Sequence, residues 1–284
     1  MEQELDLLDV KIDYAFKRIF GENEDIFINF TNSILNQPHN KKIKSVQFLN
    51  TEVNQESAFD KESRFDVLAQ LNDGSFVNME MQMSYTSEYE KRCLYYWTKL
   101  YEQQMFKGDR YKNLQPAICI NILNYKYFKE KENYITELRV VDIETKNIFT
   151  QDFQIFLIEV PKALKESYTE LSKWMRFLKG ASREEIFSMD NPFILKAQEK
   201  LEYLSQDFQA RIQYNSRQKY LHDYMSDTAS KFEEGMEKGI NIGVEKGEYK
   251  NKLENAKNFL QLGVSIDIIS KATGLTKEEI EKLA

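Results

Sequence analysis

The chain has 284 residues, of which 42% are hydrophobic, and it includes 19 Phe and 16 Tyr. A chain of this length and composition can bury a substantial core and carry an appendage beside a main domain. Its formal net charge of −7 argues against a general nucleic-acid binder, because phosphate neutralisation supplies most non-specific affinity. Two Cys are too few for a disulfide framework or a cysteine zinc site, and the two His, His39 and His222, do not supply the inventory of a zinc site or of a histidine-general-base nuclease.

The sequence pattern predicts neither a membrane span nor a signal peptide. No apolar run approaches the ~18 residues of a membrane span, and the first residues, MEQELDLLDVKID, are acidic where a signal peptide would be basic. We therefore expect a cytoplasmic protein with no membrane partner.

The first elements are predicted to be helical. Apolar positions in residues 9–20 and 24–36 recur at helical spacing, with Gly21 and Pro38 as stop signals, and residues 43–49 form a candidate strand. The first of these helices carries Asp13. Among the acids of the connection that follows, Glu52 is a weaker site candidate.

Residues 64–82, RFDVLAQLNDGSFVNMEMQ, are predicted to form a hairpin around which the rest of the chain is organised. Two stretches of alternating apolar and polar residues flank Asn-Asp-Gly, the strongest short-range hairpin signal. Asp66 lies on the less apolar face of the first strand, and Glu80 and Gln82 lie on that of the second. Each strand therefore turns an acid away from its apolar side.

Whether the two acids meet depends on the register of the hairpin. A two-residue loop would pair position 66 with 81, whereas a three-residue loop, residues 72–74, pairs 66 with 80 and places both acids on one face. We predict the three-residue loop, because Gly74 accepts the left-handed backbone that its last position requires.

Two interpretations of the acid pair remain open from the residues alone. In the first interpretation, both acids are solvated side chains on a half-exposed strand face. The other is a site for a hard divalent cation, with oxygen ligands from Asp66, Glu80 and the carbonyl of Met81 and with Gln82 orienting a water. Mg²⁺ suits such a site because it binds through one or two carboxylates and keeps several waters.

A helix is predicted over residues 86–107, with Ser87-x-x-Glu90 as a capping box and Gly108 as its stop. Its apolar face is predicted to consist of Leu94, Trp97, Tyr101 and Met105. Residues 88–131 hold nine Lys or Arg against five acids, a modest basic surplus next to the acidic hairpin. Arg92, Lys99 and Arg110 are the candidate phosphate contacts in this segment, although an ordinary solvated or packing role explains them nearly as well.

Beyond this helix the pattern alternates between buried strands and helices. Residues 117–123 and 153–160 are apolar runs typical of strands buried on both faces, and Cys93 and Cys119 are expected to be small core residues. Residues 162–227 have helical patterns, which indicate a helical subdomain packed on an α/β core.

The last 55 residues differ in kind from the rest. Gly235, Gly239, Gly243 and Gly247 recur every four residues among good helix formers, which favours either close approach between helices or a deliberately weak linker helix. Three short helices follow, and Thr276-x-x-Glu279 is a second capping box. Because residues 264–284 carry three Lys against four acids, we expect an oligomerisation or regulatory module there more than a DNA reader.

Three segments together carry a resemblance to a known family. DYAFKRIFG at 13–21, NMEMQ at 78–82 and RCLYYWTKLYEQQMFKGDRY at 92–111 resemble the recombination-promoting nuclease (Rpn) branch of the PD-(D/E)XK nuclease superfamily. The likeness covers roughly residues 8–230. It implies Asp66 and Glu80 as metal ligands, Gln82 in the place usually held by lysine, and Asp13 as an acid that joins the site. Phe65 stands where the superfamily has proline.

The resemblance implies a fold, an activity and partners. The fold would be α/β, a restriction-endonuclease-like mixed sheet flanked by helices with a helical C-terminal extension. Its divisions are a nuclease core over 1–160, a helical subdomain over 161–228 and a tail over 229–284. The activity would be Mg²⁺-dependent (or Mn²⁺-dependent) DNA endonuclease chemistry linked to recombination, mobile elements or defence, with DNA as partner and a homodimer formed through the C-terminal region. The alternative is a non-catalytic DNA-binding or assembly protein on a nuclease fold.

Overall fold

The computed structural model describes residues 6–50, 65–165 and 169–283. Arg64 and Glu52 lie outside the described residues. The chain divides into two compact units, Met1–Gln218 and Lys219–Ala284. The finer divisions expected at residues 160 and 228 stay a prediction.

The first unit is built on a six-stranded mixed sheet whose strands lie in the order β1-β2-β3-β4-β6-β5. Strands β1, β2 and β3 pair in antiparallel fashion, β3, β4 and β6 are parallel, and β5 pairs antiparallel to β6. The bounds are β1 Val46–Phe48, β2 Val67–Leu71, β3 Phe76–Gln82, β4 Ala117–Leu123, β5 Ile135–Leu138 and β6 Phe153–Glu159.

Helices cover the sheet on both faces. The helices of the described chain are α1 Asp13–Phe20, α2 Glu24–Leu35, α3 Tyr89–Glu102, α4 Glu170–Leu178, α5 Arg183–Ser188, α6 Pro192–Gln206, α7 Phe208–Gln261, α8 Ile266–Thr273 and α9 Lys277–Glu281, of which α8 and α9 belong to the second unit. Helix α3 packs over β4 on one face. On the other face, Gly21 at the end of α1 lies against Val67, and Phe27 of α2 packs edge-on against Phe48. The expected fold class, a restriction-endonuclease-like mixed sheet flanked by helices, is confirmed.

The buried strands match their sequence pattern. All seven residues of β4 are buried, Asn121 among them, as expected of a mostly apolar strand between two helical layers. Cys93 and Cys119 are buried free cysteines of the core, as expected. Strand β5 was not predicted from the sequence, because its half-exposed, four-residue pattern is too short to show a clear period.

Helix α3 departs from its prediction in three ways. It ends at Glu102, and Leu94 is 50% exposed, whereas Tyr89, Cys93 and Leu100 are its buried residues. The predicted capping box at Ser87 is wrong, because the helix begins after Glu88 and no side chain caps it. Glu90 instead accepts a hydrogen bond from the hydroxyl of Tyr127, so it does not reach back to the helix start.

The second unit consists of helices that close on a small core of their own. Ala256, Ile269, Leu275 and Ile280 are buried together, and Thr276 with Glu279 forms the predicted capping box. The four regularly spaced glycines lie within α7, and a Cβ added at any of them would meet no other atom of the described residues within 4 Å. Among the described residues, we find no helix whose length and apolarity would let it cross a membrane.

Candidate active site

The hairpin between β2 and β3 has the predicted three-residue loop. Leu71 donates its N–H to the carbonyl of Ser75 at 2.8 Å and accepts from the N–H of Gly74 at 2.9 Å. Gly74 has φ +92°, a backbone conformation that side chains rarely allow. The ladder pairs Val67 with Met79, so the next position along the first strand, 66, stands opposite position 80.

This register brings the two acids into direct contact with each other's strand. The N–H of Asp66 donates to Oε1 of Glu80 at 3.3 Å, and the N–H of Met81 donates to Oδ2 of Asp66 at 2.9 Å. Asn78 Nδ2 also donates to Oε1 of Glu80, at 3.2 Å. Each carboxylate is therefore oriented by backbone or amide donors of the hairpin. Of the predicted ligand residues, Met81 contacts the site through its N–H.

Burial distinguishes the pair from ordinary strand acids. Glu80 is 5% exposed and the side chain of Asp66 is 17% exposed, so the interpretation as solvated strand acids is wrong. The sheet is flanked by helices on both faces, and Tyr96 and Arg92 of α3 lie close enough to the acids to interact with them electrostatically.

The environment raises the pKa of both carboxyls. Desolvation by burial raises the pKa of Asp66 to about 6, against the opposing effect of the Lys17 ammonium. The pKa of Glu80 lies well above its ordinary value, first because of burial and then because of the negative charge of Asp66. A buried carboxyl beside a largely buried one, both with raised pKa, is a location where a bound cation would be strongly stabilising.

Two basic side chains flank Asp66 and Glu80. Lys17 on α1 has its Nζ 2.6 Å from Oδ1 of Asp13 and 3.5 Å from Oδ1 of Asp66. On the opposite side, the Arg92 guanidinium donates to Oε1 of Gln82, while Nε2 of Gln82 donates to Oε2 of Glu80 at 3.4 Å. The amide of Gln82 is thereby oriented between an arginine and an acid.

The predicted site residues are thus partly brought together. Asp13, Asp66, Glu80 and Gln82 form one connected group, and Arg92 touches it through Gln82. Lys99 is seven residues beyond Arg92, about 10 Å along the helix axis, and forms an ion pair with Glu102. Arg110 is exposed in the connection between α3 and β4.

Sequence reasoning overlooked two residues of the group. Lys17 lies four residues after Asp13, a helical ion-pair spacing that could have drawn attention to it. Asn78 precedes Glu80 by two residues and therefore shares its face, a relation that the alternation of the strand already contains.

The donor set fits a hard divalent cation. The described residues contain no group of three or more His, Cys, Asp or Glu arranged to hold a metal ion. Asp66 and Glu80 offer two carboxylates, and Mg²⁺ usually binds through one or two carboxylates and retains waters.

A mixed sheet with paired carboxylates from an antiparallel hairpin defines a class of nuclease-like proteins, and the comparison with family models is consistent with it. The chain belongs to the PD-(D/E)XK nuclease family transposases, whose model matches residues 10–231. This confirms the resemblance inferred from the residues. No curated protein and no solved structure shows a significant match to the chain.

Proposed function

We propose that the protein is a metal-dependent DNA endonuclease. The observation that carries this proposal is the pairing of Asp66 with Glu80 across the hairpin, buried and at raised pKa, in a chain that belongs to a nuclease family. DNA is proposed as the substrate because of that family, and recombination, mobile elements or defence against foreign DNA as the setting.

Asp66 and Glu80 would hold the ion, which we take to be Mg²⁺, with Mn²⁺ as a substitute. When bound, such an ion stabilises charge on the scissile phosphate and lowers the pKa of a coordinated water. The hairpin amides of Asp66, Met81 and Asn78 fix the carboxylate orientations before substrate arrives. This pre-organisation reduces the rearrangement that binding would otherwise require.

Gln82 would position the attacking water. Its Oε1 is held by Arg92 and its Nε2 by Glu80, so its orientation is determined at both ends. A neutral amide cannot accept the proton of that water, so Gln82 serves as a positioning group and not as a general base. Lys99 and Arg110 are retained as proposed contacts to the DNA backbone at a distance from the acids.

Cleavage of supercoiled plasmid tests the proposal. Wild-type protein should nick or linearise the plasmid with Mg²⁺ or Mn²⁺ and do neither in EDTA. Glu80→Gln keeps the shape of the side chain and removes its charge, so it should abolish cleavage. The matched control is Glu199→Gln, an exposed position on α6, which should cleave as the wild type does.

Absence of cleavage with every divalent metal would favour the other candidate, a non-catalytic DNA-binding or assembly protein. Calorimetric titration separates the two further. Binding of Mg²⁺ that disappears in Asp66→Ala supports the enzyme, whereas no binding by the wild type contradicts it.

We further propose that the second unit mediates self-association. The part of α7 that belongs to this unit carries three exposed apolar residues at four-residue spacing: Phe232 (68% exposed), Met236 (54%) and Ile240 (59%). They form an apolar row that faces solvent unless a partner covers it. Truncation after Asp227 should lower the oligomeric mass measured by light scattering. An unchanged mass would contradict this role. The cytoplasmic location stays a prediction.

A further inference from the structure

Asp66, Glu80 and Gln82 supply no positive charge at the point where phosphodiester cleavage would need it. The transition state adds negative charge to a phosphate that already carries one, next to two carboxylates. Gln82, on the same face as Glu80, contributes no charge. A basic side chain that reaches the acids from another element would correct this.

Lys17 reaches the acids directly. Its Nζ lies 3.5 Å from Oδ1 of Asp66 and 2.6 Å from Oδ1 of Asp13, and its side chain is 30% exposed. The ammonium is therefore both attached to the acid cluster and open to solvent, where a phosphate could approach. The i,i+4 spacing on α1 places Asp13 and Lys17 on one side of the helix, so the pair is held together by local geometry.

Arg92 is the other basic group beside Asp66 and Glu80, and its contacts assign it a different role. Arg217 has its Nε 3.8 Å from Oδ2 of Asp13 and pairs with that acid. Its guanidinium donates to the amide oxygen of Gln82, and Gln82 in turn contacts Glu80. Arg92 thus reaches the carboxylates through an intermediary, whereas Lys17 contacts a carboxylate itself.

We propose that Lys17 is a catalytic residue that donates a hydrogen bond and positive charge to the scissile phosphate, and that Asp13 is a positioning residue that holds its ammonium. In this role Lys17 transfers no proton, and no covalent bond forms or breaks at this residue. This inference rests on the proposed nuclease function. Within it, Asp13 acts by holding the ammonium of Lys17 in place.

Lys17→Met is the variant that tests it, because methionine keeps the length and apolar character of the stem. We expect plasmid cleavage at saturating Mg²⁺ to fall by at least about a hundredfold, the scale of losing one transition-state donor. Mg²⁺ binding, measured by calorimetry, should persist, because the ligands Asp66 and Glu80 remain. Arg18→Met is the control on the same helix, since Arg18 pairs with Glu22 on the surface, and it should cleave normally.

Restoring the charge from the opposite strand separates a catalytic role from a structural one. In the double variant Lys17→Met with Gln82→Lys, the new ammonium enters from β3, where Gln82 already contacts Glu80. We expect cleavage at least tenfold above that of Lys17→Met with Gln82→Met, which loses the same water-positioning amide and gains no charge. Asp13→Asn should lower cleavage less than Lys17→Met, because the ammonium remains but is less firmly held.

The outcomes distinguish the two proposals. An inactive wild type overturns the nuclease function and this inference with it. An active wild type with Lys17→Met within threefold of it overturns the inference alone. Loss of Mg²⁺ binding in Lys17→Met also overturns it, since Lys17 would then be a structural residue. A double variant no more active than Lys17→Met with Gln82→Met overturns it as well, since the restored charge would then have no effect on cleavage.

Discussion

Replacing Asp66 by asparagine should stabilise the metal-free protein, although it removes a proposed ligand. Burial raises the pKa of Asp66 from 3.8 to about 6, so the folded protein holds this proton more tightly than the unfolded chain does. The free energy of unfolding therefore falls as the pH rises from about 4 to about 6. Above that range, ionisation of Asp66 lowers it no further. At about 1.36 kcal/mol for each unit of pKa, the cost of ionisation at pH 7.5 is about 3 kcal/mol.

The Asp66→Asn variant would escape this cost because an amide does not ionise, and the amide oxygen can still accept the N–H of Met81. We expect this substitution to raise the free energy of unfolding by up to about 3 kcal/mol at pH 7.5 and by little at pH 4. Urea denaturation in EDTA at the two pH values measures this difference. Asp190→Asn is the control, since Asp190 is exposed and its left-handed backbone suits asparagine equally well.

A gain of the same size at both pH values, or a loss at pH 7.5, would refute this reasoning, because ionisation would then not be what destabilises the site. Adding Mg²⁺ extends the test. The wild type should gain stability with the logarithm of the Mg²⁺ concentration above its dissociation constant, and Asp66→Asn should gain much less.

Two further predictions concern the framework of the site. Lys162 is buried with its Nζ 2.7 Å from Oε2 of Glu159. Lys162→Met should lower the free energy of unfolding by about 3–5 kcal/mol, because it leaves the Glu159 charge buried without its partner. In the same urea titration, Lys196→Met at an exposed ion pair should cost under about 1 kcal/mol. Gly74→Ala forces an unfavourable φ at +92° in the loop that sets the register of Asp66 and Glu80, so calorimetry should show weaker Mg²⁺ binding. Gly180→Ala, with φ +81° but away from the hairpin, should leave binding unchanged, and equal binding in both variants would contradict the link between loop and site.

Much of the fold and the centre of the site were predictable from local sequence. The Asn-Asp-Gly turn and the alternation on either side of it determine the loop length, and the loop length determines that Asp66 faces Glu80. The mostly apolar runs of β4 and β6 predicted buried strands because only a sheet covered on both faces can bury consecutive residues of a strand. These features depend on neighbours within a few residues or within one hairpin.

The surroundings of the acids were decided by tertiary packing. Lys17 and Asp66 are 49 residues apart in the chain, and only the packing of α1 beside the hairpin makes them neighbours. The direction in which α3 faces the sheet exposes Leu94, buries Cys93 and brings Arg92 to Gln82. Periodicity identifies which residues share a helix face, but the partner that a face meets depends on how the elements pack. For this protein, the sequence alone therefore determined the acid pair, and the tertiary structure determined the basic groups that surround it.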